Sequence, residues 1–594
     1  MREYTSPGEV EVSPEENLTD ALWEAAASNP TRPVLAHRVG DRFVEWSMQQ
    51  FADEVQAVAK GLMALGIDKG DKVCLYSATR LEWTILDFAI WAAGAVTVPI
   101  YETSSSEQVE WIGTDSGAVA LLVENDTLKA EYDAVADRLP DVKHVFVIED
   151  GALEDLKQRG SDVSDEQVRE RAASVTGADL ATIVYTSGTT GKPKGCVITH
   201  HNFVWDAVQT EAAVPEILRP GESTLLFLPL AHIFARVIQT ACIRSGMLLG
   251  FSTGIPQLLE ELKLFQPTFL IAVPRVFEKV FNGAQQKAHA EGKGKIFDKA
   301  AAVAEEYSRQ SRAGKVKLGT KLLHGVFDKL VYVKLRDAMG GRVRYAASGS
   351  AALGERLGHF FDGIGIPIIE GYGLTESTAV ATLNQPSALR IGTIGKPIPG
   401  GSVRIDDDGE ILLKGGHIFQ GYYNNDAATA EVMDGEWFRT GDLGTLDGEG
   451  FLRITGRKKD ILVTAGGKNV APAVLEDRLR AHALVSQAMV VGDGKPFIAA
   501  LITLDKEALP AWAEANDKPS AEVEDLIDDP DVRASLDQAV EDANKAVSRA
   551  ESIRTYRIIP QDFEVGEELT PTLKVKRNVV GERFKDVIEE IYAS

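Results

Sequence analysis

The segment Tyr185 to His201, YTSGTTGKPKGCVITHH, gathers residue types that suit a polyphosphate. Gly188, Gly191 and Gly195 let backbone amides approach an anion. The hydroxyls of Thr186, Ser187, Thr189 and Thr190 donate hydrogen bonds, and Lys192 and Lys194 supply charge. The loop is not of the Walker A type: only Thr189 and Thr190 separate Gly188 from Gly191, and Lys192 is followed by proline. A plain surface turn would need no such density of phosphate-binding groups. The apolar run ATIVY just before it predicts that the loop springs from the end of a buried strand.

The elements that must position this loop can be read from hydropathy. Through about the first 450 residues, strand-like apolar runs alternate with helix-length segments: DKVCLYS, LDFAIWAAGAVTVPI, VALLVE, KHVFVIE, ATIVYTS, STLLFLPL and PTFLIAVP. That alternation predicts an α/β fold with mostly parallel strands buried on both faces. From about residue 403 the pattern changes to short strands and tight turns, VRIDDDGEILLKGG and GTLDGEGFLRITGR, which predict a β-rich subdomain closing the body. After GRKKD come a Gly-Gly loop, the helix-like VLEDRLRAHALV, the strands QAMVVGDG and PFIAALITL, a helical region to about residue 550 and a basic tail. We expect a body over residues 1–455, a hinge at 456–460 and a small, mobile α+β domain over 461–594.

Composition narrows the partners. The chain has 594 residues, 63 Lys plus Arg against 88 Asp plus Glu, and a formal net charge of −25. Such a surface repels polyanions and argues against nucleic acid, so an anionic substrate must meet a local basic site. Cys74, Cys196 and Cys242 show no paired spacing, which suggests neither disulfides nor a zinc site and fits a reducing cytoplasm. The polar, acidic N-terminus lacks the apolar core of a secretory signal, and the most apolar stretches are too short to span a bilayer.

Seven motifs in order carry a resemblance. The phosphate loop is followed by LPLAHIFAR (228–236), YAASGSAAL (345–353), IEGYGLTES (369–377), FRTGDLG (438–444), ITGRKKDILVTAGGKNVAP (454–472) and LTPTLKVKR (569–577). Together they resemble the adenylate-forming superfamily of acyl-CoA synthetases, nonribosomal adenylation domains and firefly-type luciferases, and look most like the long-chain fatty acyl-CoA synthetases. The resemblance implies a role for each matched residue. Thr186 and Glu376 would hold Mg2+, a hard cation that takes oxygen ligands. Ser187, Gly188, Thr189, Thr190 and Gly191 with Lys194 would hold the phosphates. Gly349, Ser350, Ala351, Glu370, Gly371 and Tyr372 would enclose adenine, with Thr375 near the α-phosphate. Asp442 would accept hydrogen bonds from the ribose, with Arg457 at the ribose or phosphate. Lys574 would stabilise charge developing at the α-phosphate. His232 would act at the acyl carboxylate. Long-chain relatives often carry an acidic residue where this chain has Ala235.

The chemistry so implied has two steps. A fatty carboxylate attacks the α-phosphate of ATP to give an acyl-adenylate, and coenzyme A then displaces AMP. In such enzymes one site serves both steps. The C-terminal domain turns so that Lys574 withdraws and the Gly466 and Gly467 loop comes in beside the pantetheine, and Lys459 is the expected pivot. A fatty acyl-AMP ligase that stops at the adenylate is the nearest rival, but such relatives carry an insertion near the hinge, whereas GRKKDILVTAGGKN runs straight through. A ligase for another carboxylic acid and a silent nucleotide-binding module are the other readings. The first would be told apart by its substrate profile, the second by a loss of pyrophosphate formation. Residues 279–344 hold 15 Lys and Arg against 6 Asp and Glu, with amphipathic helical stretches. That segment, placed between the His232 and SGSAAL motifs, resembles the long-chain branch and predicts peripheral contact with anionic lipid as the alternative to a solvated helical face.

Overall fold

The computed structural model describes residues 1–186, 192–570 and 573–593. Two α/β sheets and one antiparallel sheet build the body. The first sheet runs Lys396–Pro397, Thr382–Leu383, Ile368–Tyr372, Tyr345–Ser348, Phe269–Ala272, Ser223–Leu226, Leu248–Phe251, Pro33–Val39 and Arg42–Ser47. It is parallel from Ile368–Tyr372 through Pro33–Val39 and antiparallel only towards its edges. The second runs Gly421–Tyr422, Lys194–Thr199, Leu180–Thr186, Val96–Ile100, Lys72–Tyr76, Ala118–Val123 and His144–Val147, parallel from Leu180–Thr186 onward. Val96–Ile100 is buried at every residue, as a parallel strand covered by helices on both faces must be. The third sheet is antiparallel and joins the N-terminal strand Glu3–Thr5 to Ser402–Ile405, Glu410–Lys414, Trp437–Leu446 and Leu452–Arg457.

One strand expectation is corrected. LDFAIWAAGAVTVPI is a helix followed by a strand: Leu81–Ala92 is helical and every residue of it except Glu82 is buried. A helix enclosed on all sides shows no polar face, so its sequence carries no 3.6-residue period to distinguish it from a buried strand. Gly94, at φ +78°, makes the turn into Val96–Ile100.

The C-terminal domain is a three-stranded sheet, Val485–Val491, Ile498–Leu504 and Ile553–Ile559, with apolar clusters on both faces. The pleat divides them: Ala488 and Val490 enter one cluster, Met489 and Val491 the other. The basic tail expected from sequence is structured. Its start forms the third strand, parallel to Ile498–Leu504, and the helices Arg577–Arg583 and Lys585–Ala593 cover the second cluster through Val580 and Ile591. All three cysteines are buried and unpaired. No described helix is long and apolar enough to cross a membrane.

Candidate active site

The site is assembled at the carboxyl ends of strands, where open α/β sheets bind ligands. Leu180–Thr186 pairs with Lys194–Thr199 so that Thr186 lies opposite Lys194. Ser187, Gly188, Thr189, Thr190 and Gly191 lie outside the described residues. On the descending limb, Trp111 Nε1 donates to the Pro193 carbonyl at 2.8 Å and its ring lies 4.1 Å under the Lys192 ammonium. Lys194 sits 4.9 Å over the ring of Tyr422, whose hydroxyl donates to Glu376 Oε1 at 2.8 Å. The Cys196 thiol lies between Thr186 and Glu376, and burial, with Glu376 next, pushes it well above the ordinary thiol range. Lys194 and Glu376 are thus gathered around one phenol, with Thr186 opposite Lys194 on the paired strand.

These groups fit a divalent cation held with substrate. Tyr422 engages one Glu376 oxygen and leaves the other, and Thr186 adds a hydroxyl. Among the described residues no cluster of three His, Cys, Asp or Glu could cage a metal. A single carboxylate completed by phosphate oxygens and water is the usual environment of Mg2+.

Glu376 and Thr375 lie on one short turn, Thr375–Ser377, and its exit is strained: Thr378 and Ala379 take φ +48° and +87°. Two non-glycine residues in that region cost about 1–3 kcal/mol each, so the surroundings must hold them. Thr378 Oγ1 donates to the His417 carbonyl at 2.7 Å, and Val380 N donates at 3.0 Å to Asp206, which is fully buried. Gly373 has no alternative, since a Cβ there would lie 1.7 Å from the Ala379 carbonyl oxygen.

The residues expected around adenine come together. Gly349, Ser350 and Ala351 follow the strand Tyr345–Ser348, and Glu370 to Tyr372 end the adjacent strand. Gly349 passes 3.3 Å, measured to a Cβ position, from the ring of Phe234, and Ser350 adopts φ +72°. Leu353 N donates to Glu370 at 3.2 Å, and burial pushes that carboxyl up to about 7. Tyr372 is not held by stacking alone: its hydroxyl donates to Asp442 Oδ2 at 2.6 Å. Arg457 Nε donates to the other oxygen of Asp442 at 2.9 Å, across a pair in which the two residues stand directly opposite.

Opposite this cradle the C-terminal domain presents Lys574 from a turn in which Leu573 has φ +62° and Thr570 N donates to the Lys574 carbonyl at 2.8 Å. Lys574 is exposed to the cleft, yet desolvation and the neighbouring Arg457 pull its ammonium down to about 8 against the opposing pull of Asp442. His232 feels the same lysine. Burial first, then Lys574, holds its imidazole near 3, so it is neutral, and its Nδ1 is buried without a partner among the described residues.

His232 closes the turn that follows the strand Ser223–Leu226, its N–H donating to the Pro229 carbonyl at 2.9 Å. It is the N-cap residue of the helix Ile233–Ser245. Further along that helix Phe234, Val237, Ile238 and Ala241, at i, i+3, i+4 and i+7, face a narrow apolar cavity of about 60 Å3. Ala347 and Ile369, next to the adenine segments, close it from the sheet. The helix is anchored by Arg236, which pairs with Asp87 at 2.6 Å with both side chains fully buried. Ala235 is fully buried in the body core, so an acidic side chain there would need a buried partner.

The hinge and loop residues stand apart. Lys458 is tied to Asp408 and Glu410 of the body, and Lys459 follows it. Gly466 and Gly467 form an exposed turn whose hydrogen bonds run to residues of the same domain, Thr464 N to Lys468 O at 3.0 Å and Gly467 N to Thr464 O at 2.8 Å. The structure does not bring them to the cleft. Sequence reasoning missed Tyr422, Trp111 and Asp206. Tyr422 carried a signal in the Gly-Tyr-Tyr run at 421–423; the other two are remote and carried none.

A large α/β body with a carboxylate cradle and an apolar cavity, faced by a small domain that presents a lysine, is the adenylate-forming fold. Residues 22–423 match the AMP-binding enzyme family and residues 459–594 its AMP-binding enzyme C-terminal domain. The chain belongs to the AMP-binding enzyme family. It is 50% identical over 597 residues, with all of both chains covered, to the long-chain-fatty-acid–CoA ligase FadD15 of Mycobacterium bovis. It is 33% identical to the long-chain-fatty-acid–CoA ligase ACSBG2 of Xenopus laevis, covering 94% of this chain and 81% of that one. In three dimensions it is similar to a Mycobacterium tuberculosis fatty acyl CoA synthetase, with TM-score 0.62 and 23% identity over 96% of this chain and 99% of that one. The adenylation domain of a Mycobacterium chelonae carboxylate reductase gives TM-score 0.74 at 22% identity, covering 98% of this chain and 92% of that one.

Proposed function

We propose that this protein is an ATP-dependent long-chain-fatty-acid–CoA ligase that forms an acyl-adenylate and passes the acyl group to coenzyme A. The observation that carries the reading is the continuity of the helix Ile233–Ser245: it sets His232 beside Lys574 and lines the apolar cavity one turn further on. A carboxylate head can therefore rest at the cleft while its alkyl chain is withdrawn from water, worth about 0.8 kcal/mol per buried methylene.

In the first step a fatty carboxylate oxygen attacks the α-phosphorus and pyrophosphate leaves. Asp442 receives the ribose hydroxyls. Tyr372 and Arg457 already fix one lone pair on each of its oxygens and leave the others free. Lys574 places a positive charge where negative charge grows on the α-phosphate, and neutral His232 gives its ring to the acyl carboxylate without adding charge. Mg2+, held by Thr186 and Glu376, supplies charge neutralisation on the triphosphate when bound. In the second step the coenzyme A sulfur attacks the acyl carbon and AMP leaves. Because Lys458 is tied to the body, the turn that withdraws Lys574 and brings in Gly466 and Gly467 starts at Lys459. On this reading residues 1–455 form the body, 456–460 the hinge and 461–594 the moving domain. The enzyme works in the cytoplasm, in peripheral contact with anionic membrane.

The test is release of AMP and pyrophosphate from ATP with acids from acetate to oleate, each with and without coenzyme A. We expect CoA-dependent turnover that is greatest with long chains. Adenylate formation indifferent to coenzyme A would replace this reading with an acyl-AMP ligase.

A further inference from the structure

The helix Leu318–Phe327 and the π-helical turn Asp328–Tyr332 lie on the body with one face anchored. Phe327 and Tyr332 are buried, Tyr332 donates to the Ala300 carbonyl at 2.7 Å, and His324 Nε2 meets the Gly363 carbonyl at 2.6 Å while stacking on Tyr307 at 3.8 Å. The opposite face carries Leu318, Leu322, Val326 and Leu330, with 72, 64, 52 and 55% of their surface exposed. The first three follow at i, i+4 and i+8, so they stack into a ridge. A lone exposed leucine is ordinary, but a contiguous apolar ridge on an anchored helix marks a surface that meets something.

The charges around the ridge say what it meets. Lys315, Lys317, Lys321, Lys329 and Lys334 are all exposed, and none forms an ion pair with a described carboxylate. Residues 313–334 contain one acidic residue, Asp328, which is engaged by Arg336 at 2.8 Å. This is in a protein of net charge −25 in which other surface lysines are ion-paired, as Lys279 with Glu507 and Lys414 with Glu436, although several, such as Lys143 and Lys263, are not paired with a described carboxylate. A second copy of the chain docked about a twofold axis would set lysine against lysine. Nucleic acid would leave the leucines in water. An anionic bilayer satisfies both parts, since apolar side chains enter the headgroup boundary while lysine stems lie alongside and their ammonium groups reach the lipid phosphates.

We propose that the Leu318, Leu322, Val326 and Leu330 ridge with its fringe of unpaired lysines is a docking surface for anionic lipid bilayers. This deepens the membrane part of the proposed function, and it rests on the ligase reading for its purpose only: an enzyme that draws long-chain acids works where they partition.

The experiment is cosedimentation of the full-length protein with vesicles of phosphatidylcholine and phosphatidylglycerol in equal parts, and with phosphatidylcholine alone, at low and high salt. Anionic vesicles should bind the protein at least about tenfold better than neutral ones, and salt should weaken the binding. The triple variant L318S/L322S/V326S and, separately, K317E/K321E/K329E should each lose about tenfold or more. Both should keep CoA-dependent turnover of dodecanoate supplied as monomer without vesicles. Wild-type protein that ignores anionic vesicles, or variants that bind them undiminished, would overturn the proposal. So would a ridge variant whose only change is a smaller sedimenting species, which would assign the ridge to a second copy. Vesicle binding with no dodecanoyl-CoA formed would instead count against the ligase reading and leave the surface standing.

Discussion

Asp442 and Lys574 bring opposite charges to one cleft but are held in opposite ways. Asp442 is buried in a strand of the body, each oxygen fixed by a side chain whose backbone is also in a sheet. Lys574 stands exposed on a turn of a domain with its own apolar clusters, and that domain's links to the body are polar. Arg275 pairs with Asp505 at 2.6 Å, Lys279 with Glu507 at 2.8 Å, and Arg356 donates to the Ala481 carbonyl at 3.4 Å. Polar links of this kind can be exchanged for hydrogen bonds to water when they part, which suits the domain movement of the proposed mechanism. On the proposed mechanism, the difference makes the nucleotide cradle a permanent part of the fold and the lysine a visiting one.

The comparison breaks most sharply at the lysine. Lys574→Ala should slow adenylate formation by about 100-fold or more, measured as pyrophosphate exchange, while release of acyl-CoA from preformed acyl-adenylate stays near wild type. Equal loss in both half-reactions would mean the residue does not visit but stays. Asp442→Ala should weaken binding of ATP in the first half-reaction and of the acyl-adenylate in the second by about 10- to 100-fold, at about 1.5–3 kcal/mol for a hydrogen bond to a charged group, and isothermal titration with ATP checks the first.

The pH dependence gives a smaller signal. The Lys574 ammonium, pulled from its ordinary 10.5 to about 8, is the form required, so kcat/KM for ATP should be level below about pH 8 and fall as pH rises through it. In Lys574→Arg that alkaline limb should disappear at reduced overall rate. The smallest effect belongs to the interface. Arg275→Ala should slow pyrophosphate exchange by about 2- to 5-fold, consistent with about 1 kcal/mol for such a pair, and leave the CoA step unchanged or faster. A double-mutant cycle with Asp505→Ala isolates the pair.

Much of the site was legible because its residues sit in short linear motifs. Thr186, Glu376, Asp442, Arg457 and Lys574 were each named from the string around them, and the cleft gathers them. The strands of the parallel sheets were legible because burial on both faces makes them continuous apolar runs. Leu81–Ala92 was misread for the same reason, since a helix buried at all but one residue reads almost as a continuous apolar run. The C-terminal helices were misread as tail because their charges dominate the composition while only Val580 and Ile591 are buried. Tyr422 escaped because the Gly-Tyr-Tyr run that marks it says nothing of its partner, Glu376, which lies 46 residues away.

The three buried cysteines carry a consequence for a catalyst that generates mixed anhydrides. An acyl-adenylate will acylate any thiolate it meets, and Cys196 borders Thr186 and Glu376 while Cys242 lines the apolar cavity. Burial holds the Cys74 and Cys242 thiols up at about 12 and Cys196 well above its ordinary range, so near neutrality they present sulfur without nucleophilic charge. The protein is thereby spared self-acylation, and the sulfur that competes for the activated acyl group is the one coenzyme A brings in.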